Sequence, residues 1–520
     1  MQRKLTFEHR SEDEYIKDGG LSLDFDEIAR RGAMSKEEKS IAKWFGIYAS
    51  RHPGNHMARI VLPAGTITSA QARIVSKVSE LYAQGRLSVT TRQALQLHWL
   101  KTPSLPDMMR DLATESMSCF HGCGDVTRNV VCCPWAETCE FRRFNVRPAA
   151  KETADFLTNA RDLDNLPRKF KVTFSGCPAG CAQPYINCIG AIAVQRTGAD
   201  GKTEQGFKLV IGGGMGWKAF VAQELYSFVP RKKIARVCRG IAILFRDHGN
   251  RRDRTLSRLK FVVNRYGIDK CRELVNEALI AEGIDISDLQ TGDFEETGVA
   301  FPDRPLAIAD PVGTDGTAIV TAVIPKGELS HLEFKRLAQI SEIFGNKRLY
   351  LTQRQNIEIH GVHVDKVAEC RVAIVEAGFG TEGAEGIRDI VPCVGTTYCP
   401  KAVSKTRDMY DLLMALVQQP KYDAIWDRVT INITGCPNSC SPYRITDIGL
   451  RGMRIREGQG SAEGYEVRVG GTQEEFGRIV GDFKRDDCPV VVEKLLDTYM
   501  DVREGDETLA QCIQRIGWEA

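Results

Sequence analysis

The sequence predicts an α+β protein made of two tandem copies of one unit, and three observations carry that prediction. First, a strand–helix–strand pattern opens at Arg59-Ile60-Val61-Leu62-Pro63. Apolar residues at helical spacing follow over 68–84, and residues 87–100 alternate as a strand does. Second, short motifs return at a fixed distance. Leu62-Pro63-Ala64-Gly65 recurs as Ile324-Pro325-Lys326-Gly327, and Val89-Thr90-Thr91-Arg92-Gln93 as Leu351-Thr352-Gln353-Arg354-Gln355, both displaced by 262 residues. Third, the cysteines repeat. Cys133 and Cys139 recur as Cys393 and Cys399 after 260 residues, and Cys177 and Cys181 as Cys436 and Cys440 after 259. Ile211-Gly212-Gly213 likewise recurs as Val469-Gly470-Gly471. Chance does not hold so small a drift over so long a separation.

The totals set the class. A chain of 520 residues exceeds one hydrophobic core, and 42% hydrophobic with 27% charged residues describes an ordinary globular protein. Lys plus Arg (70) nearly balances Asp plus Glu (68), so no overall field points to nucleic acid or an anionic membrane. The charged N-terminus lacks a signal-peptide core, and no apolar run approaches the roughly 18 residues of a membrane span. Seventeen cysteines without an export signal fit a reducing cytoplasm, where clustered thiols mean metal.

Taken in order, residues 1–48 read as a charged arm packed on the body, with a helical pattern over 37–48. The first strand–helix–strand unit follows. Helical segments over 253–266 and 270–282 close the first copy, and the polar loop 291–304 separates the halves. In the second copy, the β-branched run Val429-Thr430-Ile431-Asn432-Ile433-Thr434 reads as a strand ending at Gly435. Pro437 suits the first turn of a helix, which would set Cys436 and Cys440 one turn apart on one face. With Cys393 and Cys399 these make the four thiolates that an iron–sulfur cubane takes. A structural zinc favours shorter gaps than the five residues inside the Cys393–Cys399 pair.

These motifs resemble those of the siroheme- and [4Fe-4S]-containing sulfite/nitrite reductase family. The likeness rests on the Cys-x5-Cys and Cys-x3-Cys pairs and on Thr434-Gly435-Cys436-Pro437-Asn438-Ser439-Cys440. It extends to Thr91-Arg92-Gln93, Gln96-Leu97-His98, Gly124-Asp125-Val126-Thr127-Arg128-Asn129-Val130 and Leu166-Pro167-Arg168-Lys169-Phe170-Lys171. It spans the chain from about Ala58 to the end. The resemblance implies two pseudo-twofold-related repeats, each a ferredoxin-like half-domain (49–117, 301–384) followed by a siroheme/4Fe-4S domain (118–300, 385–520). It implies a cluster on Cys393, Cys399, Cys436 and Cys440, with Cys440 bridging to the siroheme iron. Arg92, Arg128, Lys169 and Lys171 then bind the substrate anion, and Gln96, His98, Asn129, Gly212 and Gly213 join Arg92 in lining the cofactor.

Elementary chemistry agrees with this assignment. Multi-electron reduction at one atom needs a redox cofactor, and the protein supplies orientation and charge. Arginine offers an oxyanion a planar, permanently charged fork. A buried lysine has a lowered pKa and can deliver protons. Lys169 and Lys171 are two apart in an extended segment and so share a face. His98 reads as a packed strand histidine rather than an iron ligand. Gly212-Gly213-Gly214 matches no nucleotide fingerprint, leaving a close backbone approach to a large cofactor or a plain turn. Cys132 adjoins Cys133 and could stand in for it.

The sequence departs from simple assimilatory members in carrying a second quartet, Cys133, Cys139, Cys177 and Cys181, which points to a second cluster. Its pocket would draw on Arg354, Arg388 and Arg428, with Thr430 where the other copy has Lys171. A relay cluster or an inactive tetrapyrrole fits that incomplete set, and the chemistry is assigned to Cys440. The second lysine, Lys171, accompanies sulfite reduction in the family. Sulfite reduction to sulfide therefore leads, with nitrite reduction to ammonia next. A cobalamin-pathway relative and a non-catalytic two-cluster electron carrier follow. The electron donor is external, a ferredoxin or a reductase subunit.

Overall fold

The computed structural model describes residues 11–198, 201–298, 312–313 and 315–517. The loop expected between the halves is described only up to residue 298; the rest of it lies outside these residues.

Among the described residues four sheets organise the chain, and two of them are shared between the halves. One runs Ile47–Ala49, Asn55–Ile60, Leu95–Lys101, Arg86–Val89, and then Glu328–Ser330 from the second half. The other runs Thr317–Ala322, Ile357–His363, Arg348–Leu351, and then Thr66–Thr68 from the first half. Each half thus lends a three-residue strand to its counterpart. The helices behind these sheets, Ser69–Tyr82 and His331–Phe344, both begin with a capping box and pack on each other. Side chains from both halves, among them Ile60, Leu97, Leu329, Leu351 and Ile359, form one continuous core.

The repeated motifs explain the exchange. Ala64 and Lys326 both take left-handed backbone, and Gly65 and Gly327 follow in the same region. A Cβ on either glycine would lie 2.6 Å from the side chain of Gln93 or Gln355, the last residue of the other repeated motif. The two motifs therefore meet in space, and glycine is required where they meet.

The remaining sheets are separate and alike. In each, three parallel strands (Val131–Cys132, Val172–Ser175, Ile189–Thr197; and Val391–Pro392, Ile431–Thr434, Ile448–Glu457) continue into two antiparallel ones. Each has its own core. The cysteine pairs lie at the ends of the first two strands in both, which is what brings residues 40 apart in sequence together.

Three local expectations are corrected. Residues 87–100 are not one strand: Thr90–Ala94 is a tight hairpin turn in which Thr90 Oγ1 accepts from the Ala94 N–H at 3.1 Å. The helix expected over 37–48 stops at Ile41, and Tyr48 belongs to a strand. Gly46 turns the chain between them with φ +76°, pressed against Cys119 so closely that no Cβ fits. Residues 253–258 are turn, with helix only from Leu259. Residues 1–10 of the expected arm lie outside the described residues; from Ser11 on, the arm touches the body. Its Glu14 and Lys17 are buried, with Lys17 3.0 Å from Asp125 and Glu14 2.7 Å from Arg251.

Because Leu329 is buried on a lent strand, Leu329→Ala is expected to cost about 2–5 kcal/mol. Calorimetry should show the two ferredoxin-like halves still melting together, since they share one core.

Candidate active site

Arg92 projects from the tip of the Thr90–Ala94 hairpin. Its Nη1 donates to Asn187 Oδ1 (2.8 Å) and its Nη2 to the carbonyl of Asn129 (2.7 Å). Asn129 in turn donates to the carbonyls of Arg92 and Gln93. Arg128 donates from Nε to Gly124 O and from Nη1 to Gly122 O, both at 3.0 Å. The Phe170 backbone is paired with the Arg128 segment, and its side chain is fully buried in the core. The flanking Lys169 and Lys171 therefore turn to the opposite side, as their spacing predicts.

Three cations that sequence reasoning passed over belong to the same group. Arg59 shares the Gly122 carbonyl with Arg128 (3.1 Å), and its guanidinium is accepted by the Gln96 side-chain oxygen at 2.6 and 3.1 Å. Arg258 donates to Cys188 Sγ at 3.4 Å. Lys260 is buried and donates to the carbonyls of Gly216, Trp217 and Lys218 at 3.2, 2.8 and 2.5 Å. Arg59 looks like any strand residue, and Arg258 and Lys260 sit far along the chain in no repeated motif.

Among the described residues, Arg59, Arg92, Arg128, Lys169, Lys171 and Arg258 have no carboxylate within ion-pair distance. Their hydrogen-bond partners are carbonyls, amides and one thiol. Burial and the neighbouring guanidiniums pull Arg92 down to about 9, so it keeps its charge at neutral pH. Burial and Arg258 pull Lys169 down to about 7, opposed by the Cys440 thiolate. Burial, Arg92 and Lys169 push Lys171 well below its ordinary value.

Cys440 approaches this group from the other half. Thr91 Oγ1, beside Arg92, donates to the Cys440 carbonyl at 2.8 Å. Ser439 Oγ donates to Met215 O at 3.1 Å, in the loop that Lys260 gathers. Cys440 is exposed to the space between, while Cys393 and Cys399 are half-buried and Cys436 buried. Burial and Cys440 push the Cys393 thiol up to about 12, and the Gly435 N–H, donated to its Sγ at 3.2 Å, opposes them only in part. The expected helix from Pro437 does not form. Residues 435–440 are a turn, because Ser439 takes left-handed backbone (φ +53°), as Gly180 does in the twin loop (φ +68°).

His98 is packed rather than ligating. Its ring stacks on Tyr398 at 3.8 Å, neither nitrogen has a partner, and burial pulls its pKa to about 3. The close approach at Gly213 is to the backbone of Tyr185 and Asn187, and Gly471 repeats it against Arg444 and Thr446. These glycines are thus required by the chain itself. A depression of about 450 Å³ lined by Pro148, Arg196, Phe228 and Arg231 lies apart from all these residues and holds none of their chemistry.

In the twin quartet the thiols of Cys139 and Cys177 face each other, as do those of Cys133 and Cys181. Cys133, not Cys132, makes that contact. Cys132 is occupied through its backbone by Gln93 and Gln353. The cations expected over this quartet are not available. Arg354 is bound to Asp389 at 2.8 Å, Arg388 to Asp423, and Arg428 to Asp506 at 2.7 Å.

Residues 123–281 and 383–520 match the nitrite and sulphite reductase 4Fe-4S domain, and residues 48–114 and 312–377 match the nitrite/sulfite reductase ferredoxin-like half domain. The chain belongs to the nitrite and sulfite reductase family. It is 28% identical to the assimilatory ferredoxin-dependent nitrite reductase of Haloferax mediterranei, over 95% of this chain and 89% of that one. It is 26% identical to sulfite reductase [ferredoxin] 2 of Mycolicibacterium paratuberculosis, over 98% and 92%. The fold is that of Mycobacterium tuberculosis NirA, with a TM-score of 0.88 over 98% of this chain and 97% of that one, at 24% identity. Siroheme and a [4Fe-4S] cluster are the cofactors of this family.

The residues present fit both groups. Among the described residues no three His, Cys, Asp or Glu side chains converge on one point as the ligands of a single ion would. A cubane instead takes each thiolate at a different corner iron. Beside Cys440, the buried Arg92 Nε and Arg258 Nε donors are left without partners, as a polycarboxylate tetrapyrrole and an anion would find them. No helix among the described residues is long and apolar enough to cross a membrane.

Lys169 is charged below about pH 7 and neutral above it. Nitrite stays a monoanion across this range, so its Kd for the holoenzyme should rise about threefold to tenfold from pH 6 to pH 8. An optical titration should show this dependence flattened in Lys169→Met.

Proposed function

We propose that the chain reduces sulfite to sulfide at a siroheme joined through Cys440 to a [4Fe-4S] cluster on Cys393, Cys399, Cys436 and Cys440. The observation that carries the preference is Lys171. It adds a second lysine to a cation group that no carboxylate offsets. Burial and its cationic neighbours suppress the Lys171 charge, and sulfite, a trigonal-pyramidal dianion, restores that charge and gains from it more than a monoanion does. When bound, the siroheme–cluster pair would pass on the external donor's electrons and supply the redox-active iron.

The chain's own residues then have separable tasks. Arg92 and Arg128 are held by backbone carbonyls and by Asn187, so each presents a fixed guanidinium plane to the oxyanion. Lys169, with a pKa of about 7, loses and regains a proton readily at neutral pH and can pass protons to the departing oxygens. Arg59 sits behind Arg128 on the shared Gly122 carbonyl and fixes its direction.

Nitrite reduction to ammonia on the same frame is the alternative, since relatives of both names match over nearly the whole chain. A cobalamin-pathway relative would not need all four of Arg92, Arg128, Lys169 and Lys171, and a carrier without tetrapyrrole needs no anion-binding pocket beside Cys440, so the cation group speaks against both. The ferredoxin named in the Haloferax mediterranei and Spinacia oleracea relatives supports a ferredoxin-type donor here.

The protein isolated without oxygen should show a Soret band and a red-region band; a bare cluster shoulder would end the reductase reading. With a reduced viologen as donor, Lys171→Asn should lower sulfite turnover about 10- to 100-fold, roughly 1.4–2.7 kcal/mol of barrier. Nitrite turnover should fall less, and equal losses would remove the case for sulfite.

A further inference from the structure

The two quartets sit on the same scaffold beneath pockets of opposite charge. At the position of Asn129 the second half has Asp389, at Lys171 it has Thr430, and at Cys188 it has Asp447. Asn129 leaves Arg92 positive, whereas Asp389 neutralises Arg354 at 2.8 Å and is itself tied down by Asn356 Nδ2 and the Glu385 N–H. Thr430, where the first half has its lysine, donates to Asp447 at 2.7 Å. Glu385 stands beside Arg354 (3.7 Å) with its carboxyl raised to about 7 by desolvation, and in its ionised form it bears on Cys181 as Lys169 and Lys171 bear on Cys440. Arg388 and Arg428 are drawn away to Asp423 and Asp506. Among the described residues, what stands beside Cys181 is an arginine neutralised by Asp389, with the Glu385 carboxyl next to it.

Such a pocket repels a polycarboxylate tetrapyrrole and an anionic substrate, but it does not disturb the thiols beneath it. Cys133, Cys139, Cys177 and Cys181 keep the spacing, the strand ends and the mutual contacts of a four-thiolate set. Cys133 N–H is held by Phe174 O at 2.8 Å, just as Cys393 N–H is held by Ile433 O at 2.9 Å. Arg142 donates to the Cys139 carbonyl at 2.7 Å and fixes the loop that carries it.

We propose that Cys133, Cys139, Cys177 and Cys181 hold a second [4Fe-4S] cluster with no tetrapyrrole over it, because Asp389 and Glu385 take up Arg354 and no lysine stands at Thr430. The proposal goes beyond the substrate reading and does not depend on which anion is reduced.

The test is a count on the anaerobically purified full chain. Iron, acid-labile sulfide and extracted siroheme should give about nine irons, about eight sulfides and one siroheme per chain, from two cubanes and one tetrapyrrole iron. Cys139→Ser with Cys181→Ser should lose about four irons while the Soret band keeps its height. About five irons in the wild type would overturn the second cluster, as would two disulfides found in the quartet by thiol counting under denaturing conditions. Two sirohemes per chain would overturn the exclusion. Mössbauer spectra of the 57Fe-labelled wild type repeat the count should the double variant fail to fold, and a signal from only one cubane there would overturn the proposal. A wild type with no siroheme at all would instead remove the reductase reading and leave the cluster count standing as its own result.

Discussion

Seven basic side chains crowded inside a protein repel one another and lose hydration, and a carboxylate beside each would be the ordinary remedy. Here the remedy is withheld. Arg92 and Arg128 are held in place by carbonyls and amides, which fix a guanidinium without cancelling its charge. The repulsion among them is therefore left for an anionic ligand to relieve. Much of the surrounding architecture serves to keep that group assembled while it is unrelieved: the hairpin tip that presents Arg92, the extended segment that aims both lysines one way, and the buried arm whose Lys17 engages Asp125. With Arg254 and Arg168 also on it, Asp125 is held well below the usual carboxylate range despite its burial, and its charge is spent on residues behind the pocket.

The strand exchange makes this arrangement possible. Because each ferredoxin-like half completes the other's sheet, the hairpin carrying Arg92 is locked to the half that carries Cys440. Thr91 then reaches the Cys440 carbonyl directly. Cations and thiolates come from opposite halves, so neither half alone contains a site. The same exchange places Arg354 toward the twin quartet. A duplicated scaffold thus offers two equivalent pockets, and a few side chains decide their sign.

Much of this was legible in the chain. The repeat offsets announced two copies, the cysteine spacings announced the quartets, and the Lys-Phe-Lys alternation placed both lysines on one face around a buried Phe170. What was not legible depended on partners. An arginine has the same appearance in sequence whether a carboxylate stands beside it or not, so Arg354, Arg388 and Arg428 read as available until Asp389, Asp423 and Asp506 were located. Arg59, Arg258 and Lys260 belong to segments with no motif and become part of the site only through folding. The helix expected at Pro437 failed for a local reason. Proline permits a first helical turn but cannot demand it, and Ser439 in left-handed backbone turns the chain before a second turn can start.

That left-handed serine has a consequence for the site. A non-glycine residue in this region is strained by about 1–2 kcal/mol and persists where its surroundings hold it. At Ser439 the hold is visible: its hydroxyl donates to Met215 O, and Lys260 gathers the carbonyls just beyond. In the twin loop the same position is Gly180, which needs no such hold. The difference follows the assignment of chemistry to Cys440. In the proposed assignment Cys440 joins a cluster to a second metal, and such a thiolate needs a fixed direction that contacts from outside its own loop supply. A thiolate that only closes a cubane is positioned by the cubane itself, and glycine is enough.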